Sequence, residues 1–523
     1  MTPRPAGQKS GYAAVAVLAW SVFGAPSPLL AQVASTTTPA VESAFLPKLV
    51  ISTTAFLGES CRRCHSLIRD RRPGPLQIDV PPEDEGSYDV VIVGGGAAGL
   101  AAAYSLRDYR TLVLDKESQV GGKAQSGRLG GHAYPAGAIT MGRPTGDIQR
   151  LFKSLGLGIE KVSLSEHSID MGGSIIDRWI TADPRLFPYP PASQAHVKAF
   201  QEFLHQTARS GKLVLPIEDS DPKLLAELDS FDYYRWLDNR FGASAAELGD
   251  IYCRDVFGVS AREISAAVGV LFMASETEPA YAWPGGLGTL SETLARALGT
   301  RVRTDAFVWN VAQNIREATV TFQHDSRDRQ VRARAVILAA PSLMLRRIIP
   351  EISQEKMDAL AKARYASYAL VPMHVKQILW KDAMILWTPG RVFTDIKLPL
   401  PSKNALKTAE DQVLVASIPM GESEGRQELL KTSDASIVAK VLADLDTVFR
   451  SGSLSVAEAR VVRWGHAMPI SYPGYLTQVR PILARTEGRF FFAGVDTQLP
   501  AVEGALISGL RAAAGARRFL KTR

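Results

Sequence analysis

A chain of 523 residues, 46% hydrophobic and 22% charged, has the composition of an ordinary globular protein and the length for two or more domains with ample cores. Its formal net charge of +7 is spread along the chain without a long basic run, which argues against a nucleic-acid-binding arm.

Arg4 and Lys9 precede an apolar run, residues 13–25 (AAVAVLAWSVFGA), followed by small residues up to Ala31. A bilayer span needs about 20 apolar residues, so the run is short for a permanent anchor and is expected to be a removed signal peptide, residues 1–31. No twin-arginine pair precedes it, which predicts export in the unfolded state, to the periplasm, with any cofactor added there.

Residues 32–87 are expected to be a linker, rich in Ser, Thr and Pro at both ends. Inside it lies Cys61-Arg62-Arg63-Cys64-His65, holding two of the chain's three cysteines. C-x-x-C-H is the spacing for covalent haem c, with Cys61 and Cys64 as thioether links and His65 on the iron. The 22 residues 66–87 contain no methionine or histidine, so a sixth ligand would have to come from elsewhere. A Cys61–Cys64 disulfide is the structural alternative, while zinc lacks a fourth ligand nearby. Arg62, Arg63, Arg69, Arg71 and Arg72 make this stretch locally basic, as a solvated patch or a docking face for an acidic partner.

Residues 88–93 (YDVVIV) read as a buried strand, 97–106 as a helix and 111–114 as a second strand. Between strand and helix stands Gly94-x-Gly96-x-x-Gly99, with Ala97 and Ala98 opening the helix. The first glycine permits the tight turn, the second lets backbone approach a pyrophosphate, and the third allows helix to pack on sheet. Asp115 follows Gly94 by about 20 residues, at the end of the second strand, where it can accept from ribose hydroxyls. This predicts an α/β fold: a Rossmann-like dinucleotide-binding domain assembled from discontinuous segments, 88–150, 285–350 and 456–523. A mixed α+β substrate domain is expected from 151–284 and 351–455. The middle segment reads as mainly helical, 318–325 and 331–341 as strands, 489–494 as a strand and 502–520 as a helix.

Directly after Asp115 come Lys116 and the run Gly121-Gly122-Lys123. Together with YPAGAITMG (134–142), WPGGLGTL (283–290), RWGHAMP (463–469) and RFFFAGVDTQLPAVEGALISGLRAA (489–513), these stretches resemble the flavin-containing amine oxidase superfamily over residues 88–523. The resemblance implies noncovalent FAD, since no cysteine follows Cys253, itself read as a buried small hydrophobe. It implies Asp115 on the adenosine ribose and Gly121, Gly122 and Lys123 along the phosphates. Gly137 and Ala138 would lie near the isoalloxazine, Asp496 at the ribityl and pyrophosphate end, and Val502 at the start of a helix facing the flavin.

The sequence departs from that family where amine chemistry is concerned. Leu370 stands where these enzymes place a lysine, with Lys376 six residues on, and Ala501 occupies an aromatic position before E-G-A. Trp464 and His466 read first as a packed aromatic and a hydrogen-bonded histidine, with cavity lining as the alternative; Tyr472 and Lys376 are weaker candidates, and no general base is assigned. The expected activity is an exported FAD-dependent dehydrogenase that takes a hydride from a small organic substrate and passes electrons to haem c, its own or a partner cytochrome's. The alternatives are an oxygen-using flavin oxidase that releases hydrogen peroxide and a non-catalytic FAD-binding assembly factor.

Overall fold

The computed structural model of the protein describes residues 49–53, 81–165, 167–399, 409–450 and 454–522. The expected signal peptide and Cys61, Cys64 and His65 lie outside the described residues. Two sheets organise the rest.

The first has seven strands, ordered β8-β3-β2-β11-β10-β9 with β17 beside β11. They are β2 (Glu83–Val93), β3 (Thr111–Leu114), β8 (Val302–Arg303), β9 (Phe307–Gln313), β10 (Ala318–His324), β11 (Arg327–Leu338) and β17 (Phe490–Phe492). β2, β3, β8 and β17 are joined parallel, as expected of a doubly wound nucleotide-binding sheet. Helix α1 (Ala97–Ser105) leaves β2 through the glycine turn, and helix α3 (Val502–Lys521) closes the chain against α1. Both helices are rich in small residues on the face they share: a Cβ at Gly509 would meet Ala98 O at 2.1 Å. The central strands are therefore covered, and Val90–Ile92 are fully buried, which is why this stretch is an unbroken run of β-branched residues.

Part of the expected linker is strand. Residues 83–87 extend β2, where the Glu85 carboxylate is clasped by Arg303 and Arg329 and Asp84 pairs with Arg332 at 3.1 Å. Residues 50–53 form β1 (Val50–Thr53), an edge strand parallel to β16 (Val456–Pro469).

The second sheet has eight strands, ordered β1-β16-β12-β15-β14-β13-β6-β7. The others are β6 (Ser168–Asp170), β7 (Ile175–Ile176), β12 (Tyr365–Val375), β13 (Ile385–Trp387), β14 (Asp395–Lys397) and β15 (Gln412–Gly421), while β4 (Ser126–Leu129) and β5 (His132–Pro135) form a separate antiparallel pair. β16 corrects the sequence boundary at 456. Its residues were expected with the nucleotide-binding segment, but it pairs antiparallel with β12, and the chain returns to the first sheet only after Pro469. Position along the chain does not report which sheet a segment joins, because strand partners can lie far apart in sequence. Helices fill most of residues 191–298, among them α2 (Ala243–Val256). No helix among the described residues is long and apolar enough to cross a membrane.

Candidate active site

A cavity of about 1260 Å³ lies between the two sheets. Single-ligand pockets run to about 1,000 Å³, so this space suits a large cofactor and a substrate together. Of the fourteen residues assigned to the cofactor from sequence, thirteen line it: Gly94, Gly96, Ala97, Ala98, Asp115, Lys116, Gly121, Gly122, Lys123, Gly137, Ala138, Asp496 and Val502. Gly99 does not. It sits beneath the turn, where a Cβ would meet Gly94 O at 1.9 Å, so its role is to let α1 cross close to β2.

The chemistry of this cradle fits a dinucleotide. Gly94 holds a φ of +108°, and Gly96 and Gly122 present backbone to each other with no side chain between them. Gly96 and Ala501 are the N-cap residues of α1 and α3 and neither supplies a side-chain cap, so two sets of first-turn N–H groups border the same space. Asp115 is pushed up by burial and held down by backbone donors, Gly95 N to Oδ2 and Glu117 N to Oδ1. Both oxygens are thereby fixed at the end of β3 with lone pairs to spare. Lys116 pairs instead with Glu117 at 2.6 Å. Burial lowers the Lys123 ammonium to about 8, against the attraction of Asp496.

Asp496 is held by two groups that sequence reasoning missed. Its Oδ2 accepts from Tyr365 Oη at 2.5 Å and Ser342 N at 2.8 Å. Its Oδ1 is buried and accepts nothing from the described residues, an unmet acceptor that cofactor hydroxyls would satisfy. Glu503, in the first turn of α3, accepts from Gly142 N at 2.6 Å and fixes that helix start against the Met141–Gly142 loop.

The substrate side is mainly apolar, with Leu271, Phe272, Tyr368, Leu370, Ile385 and Trp387 on its walls. Leu370 and Ala501 both face the cavity, so no ammonium group stands at the former and no ring at the latter. Trp464 is both packed and lining: it is buried, and its indole N–H donates to Ala136 O at 2.6 Å. His466 lines the cavity edge-on to Tyr365, ring centroids 5.8 Å apart. Tyr472 and Lys376 stand outside the lining; Tyr472 Oη donates to Lys362 O, and Lys376 approaches Asp411 at 3.8 Å. Cys253 is fully buried, and burial pushes its thiol well up, as befits a packing residue.

Two polar groups on the substrate side had no sequence signal. Glu276 accepts from Tyr252 Oη at 2.8 Å and pairs with His167 at 3.2 Å. Burial would raise Glu276, but His167 and the hydrogen bonds outweigh it and hold the carboxyl below its usual range. Asp255, at the end of α2, faces Asp395 and Lys397 of β14.

The profile of the family described as flavin containing amine oxidoreductase matches residues 97–516. The chain belongs to this family. FAD is its cofactor, and the enzyme is a flavin-dependent oxidoreductase of the amine oxidase type. It is 24% identical over 477 residues to flavin-containing amine oxidase A from Equus caballus, covering 82% of this chain and 84% of that one. It is 24% identical over 472 residues to a nicotine dehydrogenase from Pseudomonas putida, covering 83% and 89%. Its fold matches cyclohexylamine oxidase from Brevibacterium oxydans with a TM-score of 0.67 at 19% identity, over 83% of this chain and all of that one.

Proposed function

We propose that this flavoenzyme is an exported dehydrogenase that oxidises the C–H bond beside nitrogen in a small, largely apolar amine. Bound FAD, held noncovalently, supplies the two-electron acceptor. The observation that carries the substrate reading is the pairing of an apolar wall (Phe272, Tyr368, Leu370, Trp387) with the cofactor cradle in one cavity. That wall excludes water from the reacting carbon and favours an amine with a hydrocarbon body. The uncapped start of α3 lines the cavity, and beside bound FAD its partial positive charge would favour the negative charge that reduction develops. The electron exit is assigned to a c-type haem, on Cys61, Cys64 and His65 or on a partner cytochrome. The C-x-x-C-H spacing, the export signal and a relative named as a dehydrogenase support this assignment.

The purified mature protein tests it in two steps. Its mass spectrum should show loss of the first 31 or so residues and the addition of one haem. Under anaerobic conditions an oxidisable amine should then bleach the flavin and reduce the haem band. Stoichiometric hydrogen peroxide from a haem-free protein in air would replace this reading with the oxidase one, and a flavin that no amine reduces would leave an assembly factor.

A further inference from the structure

The cross-strand register of the second sheet puts one set of side chains on the cavity face. Leu370 lies opposite Ser417, Ser417 opposite Asp395, and Asp395 opposite Trp387. Tyr368 and Lys397 fall on the same face, two residues along their strands. Most of this face is apolar. The exception is a compact charged group at β14: Asp395 is fully buried and contacts Lys397 Nζ, which also reaches the Ser417 hydroxyl. From the facing helix, Asp255 Oδ1 accepts from Thr394 Oγ1 at 2.7 Å, and its carboxyl lies within hydrogen-bond reach of Asp395. Tyr368 Oη is committed to Asp255 O at 2.6 Å. Asp255, Lys397 and Ser417 line the cavity.

Two carboxylates against one ammonium in a buried wall are one positive charge short, and buried charge must be compensated. Without a ligand, a proton can make up the difference. Burial and the neighbouring Asp395 raise Asp255 to about 8, and a proton shared by the pair also gives Asp395 Oδ1 a donor, which it otherwise lacks among the described residues. A cation delivered by a ligand would do the same work. Packing against α2 does not require the charges, since an apolar pair would fill the wall at lower cost.

We propose that Asp255, Asp395 and Lys397 form a subsite for a second cationic nitrogen on the substrate, which binds by exchanging for the proton shared between the two carboxylates. Charge balances: one ammonium enters, one proton leaves to solvent, and the group stays neutral. The subsite lies two strand spacings from Leu370, about 10 Å, so the second nitrogen sits several carbons from the first. This rests on the amine reading above.

Isothermal titration calorimetry of the anaerobic holoenzyme at pH 7, in buffers of different ionisation enthalpy, tests it with 1,6-diaminohexane against hexylamine. The diamine should bind at least tenfold tighter and release close to one proton more than hexylamine, the excess vanishing above about pH 9. Asp255→Asn should remove both the tenfold preference and the excess proton. Lys397→Met offers an independent variant: with the competing ammonium gone it should keep the tenfold preference for the diamine, and loss of that preference would overturn the subsite. Hexylamine binding as tightly as the diamine would overturn the subsite alone. An unchanged proton excess in Asp255→Asn would overturn the exchange. Failure of both amines to bind would overturn the amine reading and the subsite with it.

Discussion

Asp496 joins cofactor binding to folding through a single carboxylate. One oxygen anchors Tyr365 Oη and Ser342 N, and the other is buried with no acceptor role filled by the described residues. A hydrogen bond to a charged group is worth about 1.5–3 kcal/mol, or roughly tenfold or more in affinity. Asp496→Ala should therefore weaken FAD binding at least tenfold, read as a fall in the 450 nm to 280 nm absorbance ratio after gel filtration. Asp496→Asn keeps one acceptor and should fall between. A full flavin complement in Asp496→Ala would remove this residue from the cofactor site.

At the scale of elements, the ends of short helices need partners that the local sequence does not supply. Lys356 is fully buried, and its ammonium donates to Ile482 O, Leu483 O and Arg485 O, carbonyls at and just past the end of a short helix (Arg480–Ala484), of which Ile482 O also accepts from Arg485 N. The same Nζ lies 3.8 Å from the centroid of the Phe492 ring on β17, so it pins that helix to the first sheet. Lys356→Met keeps the length and takes the side-chain donor from Leu483 O and Arg485 O, while Ile482 O keeps only Arg485 N, which should cost about 1–3 kcal/mol in urea unfolding; a loss under 0.5 kcal/mol would reject the capping role. These partners are more than a hundred residues apart in sequence, and here the reading of the sequence stops. The glycine turn, α1, β3 and α3 were legible because their signals are local: a β-branched run, a fixed glycine spacing, an acid at the next strand end. The Asp255, Asp395 and Lys397 group was not, because only the register β12–β15–β14 and the end of α2 bring it together. A D-I-K alternation in a three-residue strand looks like any edge. The residues of β16 were assigned with the nucleotide-binding segment for the same reason, since its partner β12 is far away in sequence.

On the scale of the whole molecule, the cavity is the seam between two sheets. Its lining comes from both sheets and from the helices and loops around them: Val93 to Ile148, Lys161 to Tyr281, Ala306 to Ile348, Tyr365 to Arg426, Trp464 to Pro469, and Gly494 to Ile507. The chain crosses the seam repeatedly, and the cavity left there is where the cofactor would lie. Without it, the uncapped starts of α1 and α3, Asp496 Oδ1 and the buried Lys123 lose their partner together. A ligand that binds only the folded chain stabilises it by about 2.7 kcal/mol at a hundred times its Kd. Depleting FAD should thus lower the thermal midpoint by several degrees, followed by tryptophan fluorescence, and adding FAD back should raise it with the logarithm of free concentration. Trp464 and Trp387 both line the cavity and would report the change at the seam itself. Equal midpoints for the depleted and replete enzyme would mean that the two sheets hold each other without the cofactor, and that the cavity is a rigid receptacle rather than a joint completed by its ligand.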